Sequence, residues 1–499
     1  MELQFQSDSC QCLKAEIREV RDAELTQEVR LSDGMPDIGR VLASWGQPVL
    51  RSKEWQGDRM AVSGGVMMWI LYAPADGTPP RCVDAWVPFQ LKWELADAGK
   101  EGPIRVYPLL RFTDSRGISA RKMMIRAGIA AMVEALSTAQ TKVYRPSEMP
   151  EDVQLLQNTY PVRIAKEAGE KTYLLDEDAQ LPSNVALPER LLGYTMLPQV
   201  FEKRVVGDKL ILRGNGKLWL VYRCADEKIH TVDLEVPIAQ YVQLDDTYGN
   251  DAQADVIMGV TSLELLHNEG MQIRMKCGMV AQYLITDRYL AEVTEDAYST
   301  RRDVGLKTEE LVIPAILEQR TDVIQVNQPI PGMDADVVGI NFLPDFPHQS
   351  RNGDVIALEL SAQLQLLYYA SDGSLQGSTV RWEGTMKTTA AADCSISFLV
   401  QPNGNIQVTP GAEGLSLAGQ IKLEMYTQLK TKIPMVLSLD LGHESEPNPN
   451  RPSLVLLRSE GESLWTIAKQ CGSTVEEILR ANHLDGQPQR DQMLLVPIL

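Results

Sequence analysis

Five histidines, at positions 230, 267, 348, 443 and 483, and seven cysteines scattered from Cys10 to Cys471 are the groups from which nucleophilic or metal chemistry would be built. No two of the histidines stand at a metal-binding spacing, and Cys10-x-Cys12 has no second Cys or His cluster near it, so the sequence predicts no zinc site. The carboxylate pairs Asp33 with Asp37, and Asp245 with Asp246, could in principle serve acid and base roles. Each lies among turn residues, where Asp ordinarily caps backbone amides. Arg301-Arg302 and Arg204 are isolated basic spots that read as solvated rather than as phosphate clamps. No GxSxG elbow, Walker loop or glycine-rich dinucleotide loop follows a strand. The expectation is a non-enzymatic chain without cofactor or metal, whose work is binding.

Bulk properties narrow the partners. A chain of 499 residues, 44% apolar and 23% charged, can bury several cores and has ordinary globular composition. The formal charge of -19 argues against nucleic acid and against anionic lipid. Scattered cysteines fit buried thiols in a reducing compartment better than a disulfide framework. The opening MELQFQSDSCQCLK has no basic region followed by an apolar run, and nothing approaches 18 consecutive apolar residues, so neither signal-peptide export nor membrane insertion is expected.

The elements that would position a site come from an internal repeat. Leu210 to Tyr222, LILRGNGKLWLVY, returns 150 positions earlier as Met60 to Tyr72, MAVSGGVMMWILY, with Gly64, Trp69 and Tyr72 on Gly214, Trp219 and Tyr222. Ile356 to Tyr368, IALELSAQLQLLY, is a third copy with Leu360 and Gln365 in place of Gly and Trp. Each copy alternates like a strand and runs into a polar turn, at Ala73 to Gly77, Arg223 to Lys228 and Tyr369 to Gly373. A partner strand follows, carrying Val87-Pro88 and Val236-Pro237 in the first two copies. Proline there suits a sheet edge. The glycines suggest bulges or close backbone approach, and Trp69 and Trp219 are expected to fill the cores.

Further strand pairs are expected at 104–114 with 117–132, at 254–266 with 271–285, and at 393–401 with 405–432. The Ala-rich run Met123 to Leu136 could be helix, but its counterpart Met275 to Ile285 reads as strand, and consistency between copies decides for strand. Ala15 to Arg30 is open between a short helix and a first strand. The chain is therefore predicted to be mainly β: three repeated β-rich domains at 1–150, 151–305 and 306–443, then a Pro-rich linker at 444–452.

A small α+β (βααβ) domain at 453–499 would close the chain. Leu454 to Arg458 is a strand, and Ser463 is a cap for a helix with Leu464, Ile467 and Ala468 on one face. Gly472 stops it, Ser473 or Thr474 caps a second helix ending at Asn482, and Met493 to Pro497 is the last strand. Gly461-Glu462-Ser463-Leu464, Ile467-Ala468, Asn482 with Leu484, and Leu495-Val496-Pro497 together resemble a LysM domain. Glu462, Ser463 and Asp491 depart from the Asp, Thr and Gly usual in that family. The resemblance implies a shallow groove for N-acetylglucosamine polymers of peptidoglycan or chitin, or in some members for protein, lined by 461–464 and 480–484. The candidate binding residues are Gly461, Glu462, Ser463, Leu464, Trp465, Arg480, Asn482, His483 and Leu484, of which Trp465, Arg480 and His483 are the best placed for surface recognition.

The whole chain, with Glu28 to Leu42 (EVRLSDGMPDIGRVL), the Gly-x-x-x-x-Trp-x-x-Tyr strands and the terminal module, resembles clostridial spore-coat morphogenetic proteins with SPOCS domains and a C-terminal LysM. That resemblance implies a scaffold in the mother-cell cytosol, at the forespore surface or spore coat. Its LysM would dock to the coat's basement-layer ATPase, a morphogenetic protein, with other coat proteins as further partners and weak or no peptidoglycan binding. The alternatives are a peptidoglycan-binding protein and a self-assembling structural coat component.

Overall fold

The computed structural model describes residues 2–95, 101–146, 148–266, 270–333, 335–411, 414–444 and 451–499. Most of the expected linker, and His267, lie outside them. The first set of strands is β1 (Glu2–Gln4), β2 (Gln6–Arg30), β3 (Ile38–Gln56), β4 (Arg59–Pro74), β5 (Arg81–Glu94), β6 (Ile104–Ser119) and β7 (Lys122–Arg145). The second is β8 (Val153–Gln180), β9 (Pro188–Cys224), β10 (Ile229–Tyr248), β11 (Gln253–Leu266) and β12 (Gln272–Ser299). The third is β13 (Arg302–Pro331), β14 (Asp336–Pro344), β15 (His348–Asn352), β16 (Val355–Tyr369), β17 (Leu375–Thr389), β18 (Cys394–Gly411) and β19 (Gly414–Glu444). The module closes the chain with β20 (Leu454–Arg458), α1 (Leu464–Cys471), α2 (Val475–Asn482) and β21 (Met493–Pro497). The molecule is mainly β. No helix among the described residues is long and apolar enough to cross a membrane.

Ala15 to Arg30 belongs to one long strand, β2, and Met123 to Leu136 lies within β7. Tertiary pairing overrides the helix preference of alanine, because the Ala-rich run is the central strand between β2 and β6 and buries both faces. In the third set the expected break after Gln401 is a bulge between Asn403 and Gln407, with Gly404 at φ 70°, inside the continuous strand β18. Pro88 and Pro237 do lie on edge strands, β5 and β10.

Each set stacks a twisted antiparallel hairpin sheet on a second sheet. The first packs β3-β4-β5 on β2-β7-β6, and their inward residues, among them Val62, Met68, Ile70, Val106, Ile125 and Ile129, form one core. The second builds an equivalent core from Leu210, Leu212, Leu218, Val236, Met275 and Cys277. The turn that opens the repeated hairpin is a positive-φ glycine followed by Asp in all three sets: Gly57 at 61°, Gly207 at 62° and Gly353 at 60°. Gly207 lies inside β9, where the chain doubles back. A side chain at Gly214 would strike the Gln199 carbonyl oxygen, as one at Gly64 would strike that of Val49. Both glycines permit close backbone approach, and at Gly64 the register also shifts, Leu50 pairing with Gly64 and Ser52 with Ser63, so that Arg51 is the extra residue of a bulge.

The units are not beads. Trp69 and Trp219 lie outside the cores of their own units, in a separate cluster with Trp45, Leu71, Leu192, Val221, Leu367 and Leu375, drawn from all three. Trp45 meets Trp219 edge-on at 5.6 Å, and Trp69 lies 4.8 Å from Tyr194. A second shared core gathers the far ends of the long strands: Cys10, Cys12, Val143, Ile164, Val293, Ile313 and Met435. Sheets β2-β7-β6 and β8-β12-β11 join through one pairing, Leu13 to Ala165.

A buried ionic knot fixes these units. Arg105 on β6, 1% exposed, donates to Glu134 on β7 at 2.7 Å and to Asp255 on β11. Lys203 lies 3.4 Å from Asp255, and the Tyr426 hydroxyl on β19 lies 2.9 Å from it and 2.8 Å from Glu424. Burial alone would raise the Asp255 carboxyl. The charges of Arg105 and Lys203, with hydrogen bonds from Arg105 and Tyr426, outweigh it and hold the group well below the usual carboxylate range.

That depressed folded value fixes the sign of the pH dependence. The stabilisation is fully present above the unfolded value, about 3.9, and is lost as pH falls through the lower folded one. Replacing Arg105 by Met removes the cation that Glu134 and Asp255 share, leaving Glu134 only Arg18 and Asp255 only Lys203, and urea unfolding at neutral pH should show a loss of about 3 kcal/mol. The loss should shrink as pH falls toward about 4 and the Asp255 carboxyl, deprived of Arg105, protonates. An unchanged urea midpoint would refute the role given to the knot.

Candidate functional site: the groove of the helical module

The module forms for local reasons. Ser463 caps α1 by accepting from the Thr466 amide at 3.2 Å, and Thr474 caps α2 by accepting from Glu477 at 3.2 Å. Gly472 at φ 65° and His483 at φ 52° end the helices in the left-handed conformation. Leu464, Ile467, Ala468 and Ile478 bury one side of both helices against Leu494 and Val496 of β21, which pairs antiparallel with β20. Asp491, where the LysM pattern has Gly, adopts φ 66° and pairs with Arg458 at 2.8 Å. The position demands a left-handed residue, and Asp is among the few non-glycine types that tolerate it.

The segments expected to line a groove are the loop leading into α1 and the loop after α2. Gln487 bridges the two, its Oε1 accepting from the Leu464 amide at 2.8 Å. Sequence reasoning missed Gln487, because nothing in the loop Asp485 to Arg490 marks which residue reaches back. Gly461 takes φ 105°, and the Glu462 carboxylate folds back to accept from the Glu460 amide at 2.7 Å. Ser463 and His483 are exposed, Glu462 and Leu484 half-buried and Leu464 buried. Arg480 is exposed and held along α2 by Glu476 at 3.1 Å and Glu477 at 2.7 Å. Asn482 clamps α2 to β21. Its amide nitrogen donates to Ile478 and Leu495 carbonyls at 2.8 and 2.6 Å, and its oxygen accepts from the Leu495 amide at 2.7 Å. That amide serves the fold.

Trp465 sits apart from the groove. Its Nε1 donates to Asp296 on β12 at 2.8 Å, and its ring meets Tyr298 edge-on at 4.8 Å. Lys469, one turn along α1, reaches both Asp296 oxygens at 2.7 and 2.8 Å. Tyr298 is 5% exposed, belongs to the module's own core cluster and donates to the Ser473 carbonyl at 2.8 Å. Burial pushes its phenol well up, with the Asp296 charge adding to it. The module is thus seated on the second unit. Asp296 and Tyr298 carry no sequence signal, since an isolated Asp-Ala-Tyr at a strand end is unremarkable.

The other chemistry-bearing residues make no site where the sequence first sought one. Asp37 pairs with Arg121 at 3.0 Å, while Asp245 and Asp246 donate their backbone amides to Glu167 at 3.2 and 3.5 Å instead of capping with their carboxylates. Cys10 and Cys12 are buried, and Lys166 donates to the Cys10 sulfur at 3.4 Å.

Truncating Tyr298 to Ala should open the module's core and cost that module about 3 kcal/mol. Amide exchange should then speed up across 464–482 while β7 keeps its protection, and equal rates in parent and variant would show that the module holds itself. A family model described as LysM domain matches residues 459–497 of this chain. No curated protein and no solved structure matches it.

Proposed function

We propose that the chain is a non-enzymatic binding scaffold: three fused β units, 1–150, 151–305 and 306–443, that hold a LysM module in fixed orientation for partner capture. The observation that carries this is the seating of the module. Its α1 flank is occupied by Asp296 and Tyr298, whereas every hydrogen bond made by the groove loops, among the described residues, stays within the module. The groove remains open to a partner while its base is rigid.

The occupant we propose is a protein of spore-coat assembly, the basement-layer ATPase, with the chain working in the mother cell at the forespore surface. The polar groups of the groove support protein over glycan. Leu464 N–H, Ser463 Oγ and the whole Asn482 amide are already paired, so few donors and acceptors are left for sugar hydroxyls. What projects is the Arg480 and His483 rim. A second reading, binding of peptidoglycan or another N-acetylglucosamine polymer, is favoured by the family match over 459–497 and by the exposure of Gly461 and Ser463.

Because Tyr298 completes the module's core, the test uses the full chain. Arg480→Ala with His483→Ala should weaken binding to the purified ATPase at least about tenfold, roughly 1.4 kcal/mol, while neither parent nor variant pellets with purified peptidoglycan. Cosedimentation of the parent with peptidoglycan, lost in the variant, would establish the glycan reading and defeat the protein one.

A further inference from the structure

The turn between β9 and β10 brings together three metal-ligating groups that the sequence keeps apart. One ligand atom each from Cys224, Asp226 and His230 lies within 4.8 Å of the others. The register explains it. His230 is the cross-strand partner of Tyr222, and Cys224 follows Tyr222 by two residues, so all three side chains share one face of the hairpin. Four-coordinate zinc with sulfur at about 2.3 Å and nitrogen or oxygen at about 2.0 Å needs its ligands roughly 3.3–3.8 Å apart, a small contraction from what the hairpin presents.

Internal comparison separates the ordinary from the unusual here. In all three units an Asp begins this turn and accepts an amide two residues on: Asp76 from Thr78 at 3.0 Å, Asp226 from Lys228 at 3.1 Å and Asp372 from Ser374 at 2.9 Å. Asp226 is therefore a turn residue first, and its second oxygen makes no hydrogen bond among the described residues. The flanking positions differ. The first unit has Pro74 and Arg81, the third Ala370 and Gln376, and only the second has a thiol and an imidazole.

One further observation points to a cation. His230 Nε2 is buried with no hydrogen-bond partner, a costly state for a ring nitrogen stacked at 5.9 Å on Tyr222. Hydrolytic use of the same trio is poorly served: Cys224 is 4% exposed and makes no hydrogen bond to His230.

We propose that Cys224, His230 and Asp226 hold a divalent transition-metal ion of the zinc class, with water as fourth ligand. Sulfur, imidazole and one carboxylate form a borderline-soft donor set that selects zinc over calcium or magnesium. The site lies where the second unit meets the third, beside the Ile229 amide that donates to Tyr369 at 2.8 Å and the Thr231 hydroxyl that donates to Val338 at 2.6 Å. The ion therefore braces the hairpin end that the second unit presents to the third.

The test is titration of the chelator-stripped full chain with Co²⁺, a spectroscopic stand-in for Zn²⁺. One equivalent should bind and give a thiolate-to-cobalt charge-transfer absorption, and Zn²⁺ should displace it and raise the melting temperature. Cys224→Ala and His230→Gln are chosen because the third unit folds with Ala and Gln at those positions. Each should weaken binding by at least about tenfold, and Cys224→Ala should abolish the absorption. Absence of stoichiometric uptake, or an absorption that survives Cys224→Ala, overturns the proposal. Circular dichroism matching the parent keeps misfolding from imitating the expected loss.

Discussion

A guanidinium with 1% exposure is tolerated only where its charge is matched on the spot, and Arg105 finds that match in two different parts of the chain. Glu134 comes from its own unit and Asp255 from the second, and Tyr426 of the third donates in turn to Asp255 and to Glu424. The first two units cannot separate without breaking the buried Arg105–Asp255 pair, and the third cannot leave without taking the Tyr426 hydroxyl from Asp255. The knot adds less to net stability than to the choice of arrangement, since an apolar set of equal volume would bind the units more tightly but specify their angles less.

The same constraint governs the sheet edges, where unpaired amides and carbonyls must find partners when units pack side by side. Glutamine side chains answer it. Gln282 of the second unit accepts from Val106 N–H and donates to Val106 C=O, both at 2.8 Å, acting as a one-residue strand against β6. Gln365 of the third donates to Thr113 C=O at 2.9 Å, and Gln47 of the first accepts from the Met196 amide at 2.6 Å. An amide carries both a donor and an acceptor in one plane, which no other uncharged side chain except Asn offers, and Gln has the reach. Edges closed in this way are not free for strand addition, and this weighs against self-assembly through them.

Much of this was legible in the sequence, for a physical reason: strand alternation, turn glycines and helix caps are local. The hairpin at Leu210 to Tyr222, the edge prolines and both caps of the module follow from residues within a few positions of one another. The contacts that join units were not legible. Trp219 and Trp69 have the look of core residues, and Trp69 is buried and Trp219 partly so, yet the core they fill belongs to three units at once. Gln282 and Gln365 look like polar residues misplaced in apolar strands. Of the module, the two helices at 464–471 and 475–482 could be read from a pattern. That Asn482 is consumed by the fold, and that Trp465 faces β12, depended on geometry no pattern carries.

Repetition itself sorts structural residues from working ones. Positions alike in all three units, such as Gly57, Gly207 and Gly353 at one turn and Asp76, Asp226 and Asp372 at the next, solve backbone problems that every copy faces. A residue present in one copy alone is under no such demand, so its presence asks for another cause. The seat of the module, Asp296 and Tyr298, and the Cys224 with His230 pair are all such residues, and all lie in the second unit. The middle unit contacts both its neighbours and the module. A device placed there reaches every part of the molecule through one interface each, which the outer units cannot do.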